Sequence, residues 1–183
     1  MIMLYRMEKY SQINAGKLMD LYQEGNLENI DYFYPGTDDR KGALKQIEKN
    51  FLEFVEKDFL AKPGNTYWIL EEEGAWVSAL RLSRIEDGFY YMEALETHPR
   101  YRRKGYGIKL LQGVIEALKE EGSFKICDCV WKRNTPSLAV HEKCGFGIVS
   151  ERGMDYIHGE ADENNYGLQY MYEGNASINR LFS

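Results

Sequence analysis

The segment from residue 89 to residue 131 constrains the fold of this chain more than any other part. Residues 89–97 have the aromatic-rich composition of a strand, residues 105–121 repeat apolar side chains at helical spacing, and residues 124–131 have the pattern of a buried strand. A strand, a helix and a second strand in succession require a right-handed crossover and a parallel pair. The sequence therefore predicts a sheet in which these two strands lie parallel.

Shorter elements are predicted on both sides of this unit. A strand near Ile2–Met7 opens the chain, and Ser11 is the predicted N-cap of a helix that runs through Leu21. A second helix follows apolar positions from Leu44 to Val55, before a turn that begins at Pro63. The remaining segments are strands at 67–72, 76–82, 146–150 and 166–172, a short helix at 135–143, and a polar loop around 158–160.

Size and charge limit the class of protein. The 183 residues fit one domain, 1–183. The net charge of −6 argues against a broad surface for nucleic acid or for an anionic membrane, because binding phosphates needs an excess of Lys and Arg. An acidic protein attracts cations, so amines are natural partners. The sequence carries no signal of oligomeric state, and we allow for a homodimer.

Cysteine usage favours a reducing compartment. The three cysteines are an odd number without a CxxC pair, so a disulfide framework is not expected. Cys127 and Cys129 would share one face of a strand, and no His or Cys at ligand spacing completes a metal site around them. The first residues lack the pattern of a signal peptide, and no stretch approaches the ~20 apolar residues of a spanning helix. We therefore expect a cytoplasmic protein that does not bind membranes.

Three cations and two glycines precede the long helix, in the run Arg102-Arg103-Lys104-Gly105-Tyr106-Gly107. The first N–H groups of a helix have no partner within it, and with the helix dipole they form a site for phosphate. Gly105 and Gly107 leave room for a pyrophosphate close to the backbone. The run is neither a GxGxxG fingerprint nor a P-loop, so it predicts an anion cradle outside the nucleotide-hydrolysing classes.

Two motifs resemble those of the GNAT acetyltransferases. Residues 95–107, followed by Leu110-Leu111, are similar to the family's cofactor motif, whose centre is R/Q-x-x-G-x-G/A. Asn134-Thr135-Pro136-Ser137 and the run His141-Glu142-Lys143-Cys144-Gly145-Phe146 resemble its later motif, an Asn that opens a short helix ending in Glu-Lys-x-Gly-Phe. The two motifs occur in the family's order and spacing, and the order of the predicted elements extends the resemblance over most of the chain.

The resemblance implies an α/β (α+β) fold with a mixed, mostly antiparallel sheet of about seven strands, splayed between strands four and five and flanked by about four helices. It also implies acetyl-CoA as the cofactor, with the pantetheine arm in the gap. Leu95 and Thr97 would bind the arm through backbone atoms, and Asn134, with Ser137 beside it, would contact it from the far side. The amides of Arg102, Arg103, Lys104, Gly105, Tyr106 and Gly107 would hold the pyrophosphate.

The implied chemistry is attack of a neutral amine on a thioester. A base must first take a proton, because an alkylamine is mostly protonated at neutral pH. Glu93 and Glu96 are the candidates at the end of the fourth strand. Their separation of three puts them on opposite faces of a regular strand, and a bulge between them would bring both to one side. Each is alternatively a solvated carboxylate or part of a strand-end ion pair.

His141 stands where many members of the family have a Tyr that protonates or stabilises the departing thiolate. A His can donate a proton near pH 7, so His141 is a candidate general acid. The alternative is that it only packs against the cofactor, and Tyr156 or Tyr166 could then supply a hydroxyl. His98 and His158 are predicted to lie in loops without a catalytic role.

Three functions are compatible with these motifs. The first is an N-acetyltransferase, an acyltransferase that moves the acetyl group of acetyl-CoA to a primary amine of a small molecule. The second is an acetyltransferase for a protein N-terminus or lysine, with a peptide as acceptor. The third is a catalytically silent acetyl-CoA-binding module. The motifs do not name the acceptor, because acceptor specificity depends on loops outside the cofactor motif.

Overall fold

The computed structural model describes residues 1–174. Its strands are β1 (Ile2–Met7), β2 (Thr66–Glu72), β3 (Ala75–Glu86), β4 (Phe89–Thr97), β5 (Phe124–Trp131), β6 (Gly147–Ser150), β7 (Gly153–Asp155), β8 (Glu160–Asp162) and β9 (Asn165–Tyr172). Its α-helices are α1 (Ala15–Leu21), α2 (Gln23–Phe33), α3 (Arg40–Phe54), α4 (Tyr106–Lys119) and α5 (Thr135–Lys143). Over these 174 positions, every helix is too short or too polar to cross a membrane.

Seven strands form one sheet in the order β1-β2-β3-β4-β5-β9-β6. The pairs β1–β2, β5–β9 and β6–β9 are antiparallel. β4 and β5 are parallel and pair over Phe89–Tyr91 and Lys125–Cys127, although β4 continues to Thr97 and β5 to Trp131. The mixed, mostly antiparallel sheet is therefore confirmed, as is the parallel pair that the strand–helix–strand pattern required.

A second, two-stranded sheet consists of β7 and β8. Gly153 pairs with Asp162, and Asp155 pairs with Glu160. The sequence predicted only a polar loop in this region. Each of these strands has three residues, which is too short for an alternating pattern to stand out.

The first helix starts later than its sequence predicts. Ser11 lies in a 3₁₀ turn over Tyr10–Gln12, and α1 begins only at Ala15. The N-cap is Asn14, whose Oδ1 accepts a hydrogen bond from the Lys17 amide at 3.0 Å. The predicted Ser11 cap is wrong, because Asn and Ser cap helices equally well and the 3₁₀ turn delays the start of the helix.

The chain divides into two compact units. The first unit consists of Met1–Arg81 with Ala94–Gly107, and the second of Leu82–Glu93 with the chain from Ile108 onward. The chain passes from one unit to the other within β3, within β4 and within α4. The single domain over 1–183 stays a prediction, and its residues 175–183 lie outside the described part.

Each unit has its own apolar core. The core of the first unit joins α1 to β2 and β3 through buried side chains that include Leu18, Leu21, Tyr67, Ile69 and Ala79. In the second unit, α4 buries the helical face that the sequence predicted, which comprises Leu110, Leu111, Val114, Ile115 and Leu118. Burial of such a face supplies most of a helix's stability in a protein.

Candidate functional site

The backbone of β4 departs from regular strand geometry at Ala94, in the region of the candidate bases. Ala94 has a φ of +53°, in the left-handed region that residues other than glycine rarely adopt. The Tyr22 hydroxyl donates a 2.7 Å hydrogen bond to the Ala94 carbonyl. Burial raises the pKa of Tyr22 well above its ordinary value, so the phenol keeps its proton for this bond. The break in strand geometry that the base hypothesis needed between Glu93 and Glu96 is present.

Glu96 belongs to an ion pair at the end of β4. Its Oε1 accepts an N–H of Arg102 at 3.0 Å and the amide of Thr97 at 3.1 Å. The Ser78 hydroxyl lies 2.7 Å from the Glu96 carbonyl and donates to it. A strand-end ion pair was one of the two alternatives for this carboxylate, and it is the arrangement found. The guanidinium of Arg102 competes with any substrate ammonium for Glu96.

Arg102 joins three parts of the first unit. Its Nη2 bonds to Glu24 in α2 as well as to Glu96, and its Nε donates to the Thr97 carbonyl at 3.1 Å. The bond to Glu24 is the largest cause that raises the pKa of Arg102. These partners fix the beginning of the loop before α4. Arg103 and Lys104 carry the other two positive charges of the run at exposed positions.

The loop before α4 has an open backbone. Arg103 has a φ of +60° and Gly105 a φ of +79°, and a Cβ at Gly105 would meet no protein atom within 4 Å. Left-handed residues in such a run turn successive amides toward one side, which favours anions. α4 begins at Tyr106, so the amides of its first turn, including that of Gly107, have no acceptor within the helix. Left-handed residues and helix-start amides therefore lie together in this loop, and their contact with an anion stays a prediction.

Tyr106 anchors the start of α4 within the first unit. Its ring is buried, and its hydroxyl donates to Glu72 at the end of β2. That hydrogen bond is the largest cause that raises the pKa of Tyr106 to about 12. The side chain is thus used for anchoring, and only the backbone of Tyr106 is available to an anion.

Asn134 opens α5 in the second unit, as the sequence predicted. Its amide donates to the Trp131 carbonyl at 2.8 Å, and its Oδ1 accepts the Ser137 amide at 3.1 Å. The side chain is therefore the N-cap of α5. Contact of Asn134 and Ser137 with a pantetheine arm stays a prediction.

His141 is fully buried, and both of its ring nitrogens have partners. Nδ1 lies 2.8 Å from the Ser137 carbonyl, one turn earlier in α5, and Nε2 lies 2.8 Å from Asp128 Oδ2 in β5. The Phe146 ring packs against the imidazole edge to face, with centroids 5.1 Å apart. Asp128 lies in the buried strand β5 between two cysteines, and no spacing in the sequence links it to His141.

The partners of His141 fix its protonation. The Ser137 carbonyl can only accept, so Nδ1 carries a proton, and one further proton lies between Nε2 and Asp128. Burial raises the pKa of Asp128, and the hydrogen bond to His141 offsets this increase only in part. Burial alone would lower the pKa of His141, but the bond to Asp128 outweighs it and raises the pKa. The pair thus retains a shared proton, and neither nitrogen has a free lone pair or a free N–H.

The loop between β7 and β8 packs on β4 within the second unit. The Tyr156 ring lies 5.0 Å from that of Phe89 and 5.7 Å from that of Tyr91, measured between centroids. Glu93 follows Tyr91 by two residues and therefore shares its strand face, since Ala94 comes only afterwards. The loop thus covers the strand face that carries the first candidate base.

A second His–Asp pair lies in this loop. His158 Nδ1 donates to Asp155 Oδ2 at 2.7 Å, and Asp155 Oδ1 accepts the amides of Ile157 at 2.7 Å and His158 at 3.1 Å. The hydrogen bond to Asp155 is the largest cause that raises the pKa of His158, and the charges of Glu160 and Glu93 raise it further. The His158 side chain is 69% exposed. From the sequence alone, His158 was predicted to lie in a loop without a catalytic role.

Two cavities border the same hairpin. One, of about 400 Å³, is lined in part by Cys127, Met154 and Tyr156. The other, of about 520 Å³, is lined in part by Tyr91 and the acidic residues Asp155 and Glu160. Both have the size of sites for small ligands. No spacing in the sequence pointed to them, because they depend on a hairpin that the sequence did not predict.

Comparison with known families gives one match. The family described as the acetyltransferase (GNAT) family matches residues 26–146. No curated protein matches the sequence significantly.

Solved structures provide further similarities. The ribosomal-protein-S18-alanine N-acetyltransferase from Escherichia coli has a TM-score of 0.62 at 16% identity, over 97% of this chain and 98% of that chain. PaiA N-acetyltransferase from Thermoplasma acidophilum, solved in complex with coenzyme A, has a TM-score of 0.61 at 14% identity, over 94% and 99%. Campylobacter jejuni N-acetyltransferase PseH, solved in complex with acetyl coenzyme A, has a TM-score of 0.57 at 14% identity, over 94% and 100%. At these identities the similarity is one of fold.

Proposed function

Because the chain belongs to the acetyltransferase (GNAT) family, we propose that it transfers the acetyl group of acetyl-CoA to a primary amine of a small molecule by direct attack on the thioester. The loop 102–107 carries the proposal, since exposed cations, left-handed residues and the amides of a helix start lie together there. The net charge of −6 favours a cationic acceptor over an anionic one.

The loop fits the anionic end of acetyl-CoA. We assign the pyrophosphate to the amides of residues 102–107, with added charge from Arg103 and Lys104. Arg102 would act indirectly, because its guanidinium is bound to Glu24 and Glu96 and holds the loop in place. The coenzyme A and acetyl coenzyme A complexes of the two proteins similar in fold support this choice of cofactor.

The pantetheine arm would be held by strand and helix backbone. In the first unit we assign this role to the backbone of Leu95 and Thr97, since pantetheine contains two amides that pair with a strand edge. In the second unit we assign contacts with the arm to Asn134 and Ser137, at the start of α5. These assignments follow the motifs.

Bound acetyl-CoA would supply the acetyl group as an activated thioester. The protein must take a proton from the acceptor ammonium, and Glu93 and Glu96 are the two carboxylate candidates for this step. The ion pair with Arg102 holds Glu96 at the end of β4, so proton removal by Glu96 would have to compete with that pair. The buried contacts of His141 support its alternative role in packing, since a proton donor needs an N–H that faces the departing sulfur.

Two further expectations accompany this proposal. A cytoplasmic location agrees with the free thiols of Cys127, Cys129 and Cys144. A homodimer stays a prediction. A peptide acceptor remains the alternative to a small molecule. Acetyl transfer to any acceptor would distinguish both of these enzymes from a silent acetyl-CoA-binding module.

Isothermal titration calorimetry with acetyl-CoA, and an assay of CoA thiol release with a panel of amines and peptides, test the proposal. Gly107→Val should weaken acetyl-CoA binding by about 10-fold or more, because the added side chain displaces the pyrophosphate from amides that bind a charged group. The matched control is Gly25→Val, at a helical glycine in α2 where a Cβ meets no atom within 4 Å. It should bind acetyl-CoA like the parent.

The outcomes separate binding from catalysis. If a folded Gly107→Val variant binds acetyl-CoA as tightly as Gly25→Val, the amides of residues 102–107 do not hold the pyrophosphate. Tight binding without thiol release on any amine or peptide would instead remove the proposed transfer reaction. Release with peptides alone would move the acceptor to the protein class.

A further inference from the structure

We propose that His158, supported by Asp155, takes the proton from the acceptor amine. The inference rests on the proposed transfer reaction and assigns the base, for which Glu93 and Glu96 were the candidates, to a residue that the motifs do not contain. His158 follows Tyr156 by two residues, and Tyr156 packs on Phe89 and Tyr91 of β4. Glu93, the candidate base, lies on that strand face, so the imidazole and this carboxylate occupy the same part of the second unit.

The hydrogen bonds of the loop give His158 a defined tautomer. Asp155 is held by the amides of Ile157 and His158, and its second oxygen accepts the Nδ1 proton at 2.7 Å. Nδ1 therefore carries the proton in the neutral ring, and Nε2 carries the lone pair. Within residues 1–174, Nε2 has no hydrogen-bond partner. An oriented imidazole with a free Nε2 at the surface has the geometry of a general base.

The charges around His158 suit this role. Burial acts to raise the pKa of Asp155, but the bonds from His158 and from the two amides lower it overall, so the carboxylate stays ionised. Asp155, Glu160 and Glu93 together raise the pKa of His158. A higher pKa brings the imidazole closer to an alkylamine, about 10.4 for a lysine amine, and makes the proton transfer less uphill. The neighbouring cavity of about 520 Å³ gives an acceptor room beside Asp155 and Glu160.

Protons and electron pairs balance in this step. The acceptor ammonium gives one proton to His158 Nε2, and the electron pair of that N–H bond stays on the amine nitrogen. This pair forms the new bond to the acetyl carbon, the carbon–sulfur bond breaks, and its electron pair leaves on sulfur. A second proton passes from the nitrogen to the sulfur, and the proton on Nε2 is released to solvent. No oxidant or reductant is required.

Rate measurements over pH test this role with the full chain, acetyl-CoA and the best small amine of the panel. His158→Gln should lower kcat by about 10²-fold and remove the acid limb of the pH profile, since glutamine cannot take up a proton. Asp155→Asn should shift that limb to lower pH, because loss of the carboxylate lowers the pKa of His158. Glu151→Gln, at an exposed carboxylate of the second unit that lines neither cavity, has the same loss of charge, is the matched control and should leave both kcat and the acid limb unchanged.

NMR titration supplies a readout that does not depend on turnover. The chain has three histidines, so removing one at a time assigns each imidazole signal. The pKa of His158 should lie above that of an ordinary histidine and should fall in Asp155→Asn. If the pKa of His158 is unchanged in that variant, Asp155 does not support His158, and this inference is overturned.

Each kinetic outcome decides a different claim. A His158→Gln enzyme with the parent's kcat and acid limb overturns this inference and leaves the transferase function standing. Loss of the acid limb in Glu93→Gln, but not in His158→Gln, returns the role to the carboxylate and also overturns it. A parent enzyme that releases no thiol with any acceptor overturns the proposed function and this inference together.

Discussion

The second unit contains two His–Asp pairs of nearly equal length and opposite surroundings. His141 meets Asp128 at 2.8 Å with none of its side chain exposed, and His158 meets Asp155 at 2.7 Å with 69% exposed. The buried ring uses both nitrogens, and the exposed ring uses only Nδ1. A His–Asp contact therefore does not define a role by itself. The second nitrogen and its access to solvent decide between support of the fold and proton transfer.

Breaking the two pairs should have very different effects on stability. His141→Ala leaves the buried Asp128 without its partner and should reduce the free energy of unfolding by about 3–5 kcal/mol. His158→Ala, at the exposed pair, should leave the urea midpoint within experimental error. Urea unfolding followed by circular dichroism measures both. Equal midpoints for the two variants would show that burial does not distinguish the pairs.

The stability of the buried pair should also depend on pH. The folded-state pKa of His141 is raised, so the pair contributes fully below about pH 6.5, the unfolded value, and its contribution is lost as pH rises through the folded pKa. The raised pKa of Asp128 acts in the same direction at lower pH, because the folded state again holds the extra proton. A tenfold difference in proton affinity between the folded and unfolded states corresponds to about 1.4 kcal/mol of stability.

Thermal melts between pH 6 and pH 9 test this dependence. The parent should lose stability across this range more steeply than a double variant, His141→Leu with Asp128→Leu, which has no proton to lose. Similar slopes for the two proteins would mean that the pair holds no shared proton. The double variant should also be more stable than His141→Ala alone, since it leaves no unpaired charge.

The smallest effect is expected at Tyr156, which sets the position of the exposed pair. Tyr156→Phe keeps the ring contacts with Phe89 and Tyr91 and should retain kcat within about twofold, whereas Tyr156→Ala should lose about 10-fold through misplacement of the loop. Steady-state rates with acetyl-CoA and an amine measure both. A large loss in Tyr156→Phe would instead support the hydroxyl that sequence reasoning offered as a proton donor.

Much of the fold could be predicted because it depends on local patterns. β4, β5 and α5 have the bounds that alternation, helical spacing and the Asn134 cap predicted. The start of α4 directly after the cation–glycine run could be predicted from the same kind of local pattern, whereas the binding of an anion there stays a prediction.

The two His–Asp pairs could not be predicted, because each depends on contacts that spacing does not encode. Asp128 and His141 are 13 residues apart on a strand and a helix, and their contact requires the fold itself. Asp155 and His158 are close in sequence, but their relevance depends on Tyr156, which docks the hairpin on β4. Glu96 stayed ambiguous for the same reason, since its ion pair reaches an arginine beyond the strand.

The interleaved path of the chain also bears on how the protein is made. The first unit needs residues 94–107 as well as 1–81, so the ribosome must synthesise the start of the second unit before the first can be completed. N-terminal segments generally begin to fold during synthesis. Residues 94–107 are synthesised only after residues 82–93 of the second unit. Neither unit can therefore be produced as one uninterrupted fragment.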